Sequence, residues 1–276
     1  RSGRVMNGVC IRLYSESDFE SRPIHPDPEI LRSSLAAVIL KMESLGLKDP
    51  SSFPFVDSPI PRAITDGYQL LEELGAIDPS KQLTRLGTGL ARLPLDPRVG
   101  RMVLASRENG CTDEVLKLAA GFSVPDVRDN SFSGDVQNDV EPPKREKSDL
   151  DLMLDVWEWF QGEFEKKQGK RRLKEACQKR HISVARMFEW RELYQQLKST
   201  AKDIGIPLGS GSSRKEDVIR SVLSGLLGNI GYLIDKDGTY IGARGIKFQI
   251  HPSYNLKRKK PKWIVAMELV ETQRPY

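Results

Sequence analysis

The sequence lacks the parts of a self-sufficient enzyme. Its one Gly-Lys pair, Gly169-Lys170, is followed by Arg171, so no phosphate-cradling P-loop is present. There is no Gly-x-Ser-x-Gly nucleophile elbow. His25, His181 and His251 lie far apart, with no Cys or His at metal-ligand spacing. Cysteine is scarce: Cys10, Cys111 and Cys177 are an odd, widely spread set that excludes a disulfide framework and suits a reducing compartment. No apolar run approaches the ~20 residues that cross a bilayer, and the basic start has no signal-like apolar segment. The expectation is a soluble, cytoplasmic chain with no membrane partner and no complete active site of its own.

What is present suits several small cores. Hydrophobic residues make up 38% and charged residues 29% of 276, a polar balance for a chain long enough for two or three domains. The net charge of +5 permits nucleic-acid contact without requiring it, so the clustering of charge decides.

Val9 to Tyr14 alternates and predicts a strand. Leu31, Leu35, Val38, Ile39 and Met42 recur at helical spacing, with Gly46 as a stop. After the proline-rich stretch from Pro50 to Pro61, a second helix carries Ile64, Tyr68, Leu71 and Leu74 on one face and ends at Gly75. Ala76-Ile77 and Gln82-Leu83 flank a turn at Asp78-Pro79-Ser80-Lys81, which predicts a short hairpin. Helices followed by a small ribbon outline a winged helix. A joint from Leu90 to Pro97 leads to helices over Val99–Ser106 and Thr112–Ala120.

Pro125 to Lys147 is too poor in large apolar residues to offset its ordering entropy and reads as a long, flexible loop. Ser148-Asp149-Leu150-Asp151 resembles a capping box opening a helix with Leu152, Val156, Trp159 and Phe160 on its apolar face. Met187, Trp190, Tyr194, Leu197 and Ala201 stripe the next helix as core rather than as a base-stacking surface. Gly209 to Ser213 is a joint. Ser213 to Glu216 resembles another capping box, before a helix with Val218, Ile219, Val222, Leu223, Leu226 and Leu227. Short strands follow at Gly231–Ile234, Thr239–Ile241, Lys247–His251 and Trp263–Val270, the size of an oligonucleotide-binding barrel.

Two basic clusters stand out. Lys257, Arg258, Lys259, Lys260 and Lys262 fill a loop between strands, flanked by Tyr254 and Trp263, with Arg244 and Lys247 on the neighbouring hairpin. Cations there would neutralise phosphates while rings stack on unpaired bases; a solvated loop that keeps a barrel soluble fits equally. Trp263 fits either barrel core or a stacking platform. The second cluster includes Lys170, Arg171 and Arg172, diluted by Glu163, Glu165 and Glu175, and its simpler reading is an exposed, salt-bridged helix face.

Several short motifs stand in a fixed order: Leu74-Gly75-Ala76-Ile77-Asp78, Leu83-Thr84-x-Leu86-Gly87, Leu93-Pro94-Leu95-Asp96-Pro97-Arg98, Ile241-Gly242-Ala243-Arg244, Ile250-His251-Pro252-Ser253 and Glu268-Leu269-Val270-Glu271-Thr272. In this series the chain resembles the C-terminal half of the DEAH-box ATP-dependent RNA helicases, most nearly the bacterial HrpA type. Arg1-Ser2-Gly3-Arg4 matches the last four positions of that family's final helicase motif, Gln-Arg-x-Gly-Arg-x-Gly-Arg. The chain then reads as a fragment that opens inside a motif.

The resemblance implies a multidomain α+β chain. Residues 1–25 would be the tail of a second RecA-like domain, 26–92 a winged helix, 93–208 a ratchet-like helical bundle with a flexible loop at 125–147, and 209–276 an OB-like β-barrel. It implies that Arg1 and Arg4 act as arginine fingers on a bound triphosphate, that Gly3 allows close approach to ATP, and that ATP and Mg serve the intact protein but not the fragment. The implied partners are single-stranded RNA, the RecA-like domains of the same chain and an activating protein at the barrel. RNA contacts would fall on Arg244, Lys247, Lys257, Arg258, Lys259, Lys260, Lys262, Lys170, Arg171 and Arg172. Two other readings are a winged-helix regulator of duplex DNA and a protein-interaction scaffold.

Overall fold

The structure is a computed structural model that describes residues 7–9, 11–23, 35–47, 49–128, 148–167, 169–209, 213–251 and 259–270. Two hydrophobic cores organise the helices. A short exposed helix, α1 (Glu16–Ser21), precedes the first core, which joins α2 (Ala36–Ser44), α3 (Pro61–Glu73) and α4 (Arg85–Leu90) and buries Leu35, Ile39, Tyr68, Leu71, Ile77 and Leu90. Proline at the first position of α3 presets its φ where no helical N–H bond is required. The expected hairpin shrinks to one bridge, Ile77 to Leu83. Its turn is held by Asp78, whose Oδ1 accepts from the N–H of Ser80 and of Gln82, each at 2.9 Å.

The second core is larger and joins α5 (Pro97–Asn109), α6 (Thr112–Phe122), α7 (Asp149–Glu165), α8 (Lys170–Lys179), α9 (Val184–Asp203) and α10 (Lys215–Leu223). Asp96 caps α5 by accepting from Arg98 N–H at 2.9 Å, and Gly110 ends it in the left-handed region at φ 67°, where a Cβ would be strained. The α9 stripe is buried as its spacing predicts: Met187, Trp190, Tyr194, Leu197 and Ala201 all face the core. Trp190 donates from Nε1 to the Lys117 carbonyl at 2.7 Å, and Tyr194 donates to Asp113 at 2.5 Å, so both polar tips are satisfied inside the bundle.

Four expectations are corrected. The described residues of Val9–Tyr14 form no strand; they are irregular, with Val9, Ile11 and Leu13 more than four-fifths exposed, because no described segment offers a ladder partner. On α7 the buried aromatics are Trp157 and Phe160, while Trp159 is only half-buried and Leu152 is exposed. Ser213 caps nothing: the N-cap of α10 is Arg214, with no side-chain cap bond. Among the described residues, β1 (Ile230–Leu233), β2 (Thr239–Ile241), β3 (Lys247–Gln249) and β4 (Trp263–Val265) form an open four-stranded antiparallel sheet in the order β3-β2-β1-β4 rather than a closed barrel. Of the loop from Pro125, residues 129–147 lie outside the described residues. Its start is anchored, with Val127 O accepting from Ser183 N–H at 2.8 Å and Arg128 bridging Ile182.

The Ser148 capping box forms as the sequence predicts, and it also ties α7 to α10. Asp151 accepts from the Ser148 N–H at 2.9 Å and from Lys215 Nζ. Partial burial pushes its carboxyl up, but the Lys215 and Ser148 bonds outweigh this and hold it below the ordinary carboxylate value. A depressed folded value means the contribution is present at neutral pH and is lost as pH falls below 3.8, the unperturbed value. Asp151→Asn is therefore expected to lower stability at pH 7 and to change it little near pH 2. Thermal melts of both forms across that range check this; a cost independent of pH would contradict it.

Candidate nucleic-acid interface

The sheet is built from β1 (Ile230–Leu233), β2 (Thr239–Ile241), β3 (Lys247–Gln249) and β4 (Trp263–Val265). Successive strand residues point to opposite faces, so the register sorts the side chains. Leu233 pairs with Tyr240 and Tyr240 with Phe248, on the face where Tyr240 is buried and stacks on Phe248 at 6.0 Å. Gly231 shares that face because a Cβ there would lie 2.5 Å from Phe248. The other face is open. Across it Lys247 pairs with Ile241, Ile241 with Tyr232, and Tyr232 with Trp263, one residue from each strand in a single row.

That row carries charge at both ends. Lys247 is exposed at the β3 edge. At the β4 edge Trp263 is 62% exposed and meets Tyr232 edge-on at 4.8 Å, while Lys262 Nζ lies 5.7 Å from the Tyr232 ring centroid. The exposed position of Trp263 excludes it from the core. The eight strand residues on this face include no carboxylate: Ile230, Tyr232, Thr239, Ile241, Lys247, Gln249, Trp263 and Val265.

The other expected contacts scatter. Arg244, in a short 3-10 turn, points to α3: its guanidinium donates to Gln69 at 3.0 Å and to Glu73, so it fastens the sheet to the first helical core. Lys260 donates to the Lys236 carbonyl and braces the β1–β2 turn. Lys259 is exposed, and Lys257 and Arg258 lie outside the described residues. Lys170, Arg171 and Arg172 are exposed on α8, with Arg171 paired to Glu175 at 3.0 Å; they belong to the helical unit, not to the sheet. Sequence reasoning passed over Tyr232 and Ile241. Alternation through Ile230-Gly231-Tyr232 was the available signal, because it sets Tyr232 opposite Gly231.

The helical unit and the sheet meet through α10. Its Val218 and Val222 join the helical core, and the chain turns at Gly225, where a Cβ would lie 2.2 Å from the Arg98 carbonyl oxygen of α5. Asn229 then donates to the Ala266 and Met267 carbonyls at 3.0 and 3.2 Å, pinning the β4 end of the sheet.

Nothing described fits a nucleotide or its metal. The chain has no P-loop, and the described residues hold no cluster of three or more His, Cys, Asp or Glu side chains that could bind a metal ion. Arg1, Gly3 and Arg4 lie outside the described residues. Among the described residues no helix is long and apolar enough to cross a membrane.

A helical domain leading into a small antiparallel sheet defines the class. A family model for a ratchet-like helicase-associated domain matches residues 96–186, and one for an oligonucleotide/oligosaccharide-binding fold matches residues 218–276. The chain is homologous to the C-terminal region of the HrpA-type ATP-dependent RNA helicases. It is 41% identical to the ATP-dependent RNA helicase HrpA of Escherichia coli, and to the HrpA homolog of Haemophilus influenzae, over 99% of its length in each case. It is 32% identical, over 79% of its length, to the probable ATP-dependent RNA helicase DHX34 of Homo sapiens. The chain spans 22% of each of the two HrpA relatives and 19% of DHX34.

Proposed function

We propose that this chain is the RNA-gripping, non-hydrolytic part of an ATP-dependent RNA helicase that moves along single-stranded RNA and unwinds duplexes. The observation that carries the reading is a row of cations and aromatic rings on the open face of an OB-type sheet, joined through α10 to a ratchet-like helical unit. In this reading residues 26–92 are a winged helix that supports the rest, 93–208 guide the strand and 209–276 hold it. The RecA-like domains, outside this chain apart from the tail at 1–25, hydrolyse ATP with Mg. Arg1 and Arg4 complete that site as arginine fingers, with Gly3 between them, and an activating protein docks on the barrel region. Contact falls mainly on phosphates, because a motor that travels must accept any sequence.

The alternative of a duplex-DNA regulator is disfavoured by α3. Where a recognition helix would need cations, it carries Asp66, Glu72 and Glu73, and its lone cation, Arg62, sits 3.9 Å from Asp66.

The division of labour is tested by hydrolysis. The purified chain is expected to turn over no ATP above background, with or without RNA. Sustained, RNA-stimulated turnover would contradict the assignment of hydrolysis to the RecA-like pair.

A further inference from the structure

We propose that Arg244 and Glu73 form a releasable charge clasp that locks the sheet to the first helical core, and that opening it frees the sheet to swing on its α10 attachment. The inference concerns the mechanics of the chain itself and stands whether or not the sheet grips RNA.

Three observations meet at Arg244. First, its guanidinium is shared between two side chains one turn apart on α3: Nη1 donates to Gln69 Oε1 at 3.0 Å and Nη2 donates to Glu73 Oε1. A planar fork held by two acceptors fixes direction as well as distance, which a lysine ammonium would not. Second, the same carboxylate is approached by the sheet unit from another side. A Cβ on Gly228, in the 3-10 turn between α10 and β1, would lie 3.3 Å from Glu73 Oε2, so that turn rests against the acid. Third, the backbone is set for this contact. Arg244 adopts φ 59° and ψ 20°, the left-handed region that a residue with a side chain seldom enters. The turn holds it there: Gly242 N–H donates to the Ile246 carbonyl at 2.8 Å, and Ile246 N–H donates to the Ala243 carbonyl at 3.2 Å. Glycine takes such a conformation without strain, as Gly245 does next at φ 73°. An arginine in a position suited to glycine points to a role for its guanidinium.

The clasp is releasable because it is polar and wet. Neither hydrophobic core takes in a described strand residue. The side chains of Arg244 and Glu73 are 49% and 39% exposed, so solvent and salt screen their attraction. The α10 attachment is of the other kind. Val218 and Val222 are buried in the helical core, where screening is weak, and Asn229 holds the β4 end. One attachment therefore persists while the other opens. Ile241 and Lys247 are cross-strand partners flanking the Arg244 turn, so the clasp also sets where the β3 end of the open face stands relative to α3.

The test is the distance between the two units, read by pulsed electron resonance on the 276-residue chain. Spin labels are placed at the exposed positions Lys41→Cys on α2 and Asp237→Cys in the β1–β2 turn, with Cys10→Ser to prevent a third label; Cys111 and Cys177 are buried. At about 0.05 M salt the labelled parent is expected to show one narrow distance distribution. Arg244→Gly suits the backbone of the turn, so it removes the clasp and spares the hairpin; it should broaden the distribution and lower the ratio of clasped to open molecules about fivefold. Arg244→Glu should do the same, and Arg244→Glu/Glu73→Arg should restore the narrow peak. Raising salt to about 1 M should carry the parent toward the Arg244→Gly distribution and leave that variant unchanged. An Arg244→Gly chain as narrow as the parent, or a double reversal as broad as the single one, would overturn the clasp. The salt titration alters no residue of the clasp, so it decides the matter if the charge variants misfold: a parent peak indifferent to salt would refute the proposal.

Discussion

Reversing the charges of Lys257, Arg258, Lys259 and Lys260 is expected to weaken binding of single-stranded RNA on the order of a hundredfold at 0.1 M salt. The loss should be similar for every sequence tested. Each neutralised phosphate of a single strand contributes about 0.7 to the slope of log affinity against log salt, so four lost contacts flatten that slope by about 3. The sequence independence matters as much as the size, because backbone contacts position a strand without reading it. Lys260 also braces the β1–β2 turn through the Lys236 carbonyl, so a triple reversal that spares it separates phosphate contact from a loosened hairpin. Unchanged affinity and slope in both variants would make this loop a solvated surface.

Trp190→Ala should be the most damaging substitution for stability, at about 3–5 kcal/mol. The indole is 1% exposed, packs 5.4 Å from Trp157, and lies so close to Gly121 that a Cβ there would sit 2.7 Å from its ring. Truncation opens a cavity between α6, α7 and α9 and leaves the Lys117 carbonyl without its donor. Trp263→Ala, at the exposed edge of the sheet, should cost less than about 1 kcal/mol. Denaturant unfolding of the two variants gives both numbers. Equal costs would contradict the opposite roles assigned to the two tryptophans.

Much of this contrast is legible in the sequence. Met187, Trp190, Tyr194, Leu197 and Ala201 recur at intervals of three and four among charged neighbours, and one face of α9 is the only helical answer. On α7 apolar residues occupy 150, 152–154, 156, 157, 159 and 160, nearly encircling the helix, and periodicity could not choose between Trp157 and Trp159. The helix α4 escaped notice because Arg85-Leu86-Gly87-Thr88-Gly89-Leu90 carries two glycines of poor helix propensity. Its cap, Thr84, accepting from Gly87 N–H at 3.0 Å, was the readable sign. Val9 to Tyr14 has strand chemistry, but a strand is a property of a pair.

The candidate site was half legible. The density of lysines before Trp263 is visible in the sequence, but only the register of β4 settles which face that ring occupies. The fate of Arg244 was not visible. Its partners Gln69 and Glu73 lie some 170 residues earlier, and no local pattern connects them. An arginine expected on RNA is instead engaged in holding two units together, and this is why charge clusters in sequence overstate a binding surface.

A chain that grips single-stranded RNA for a travelling motor should hold it irrespective of sequence. Competition binding of the 276-residue chain among three unrelated single-stranded RNAs, a duplex DNA and buffer alone tests it most directly. The three RNAs should compete with one another within a few-fold and displace duplex DNA readily. A preference for duplex DNA, or no binding to any nucleic acid, would contradict the account.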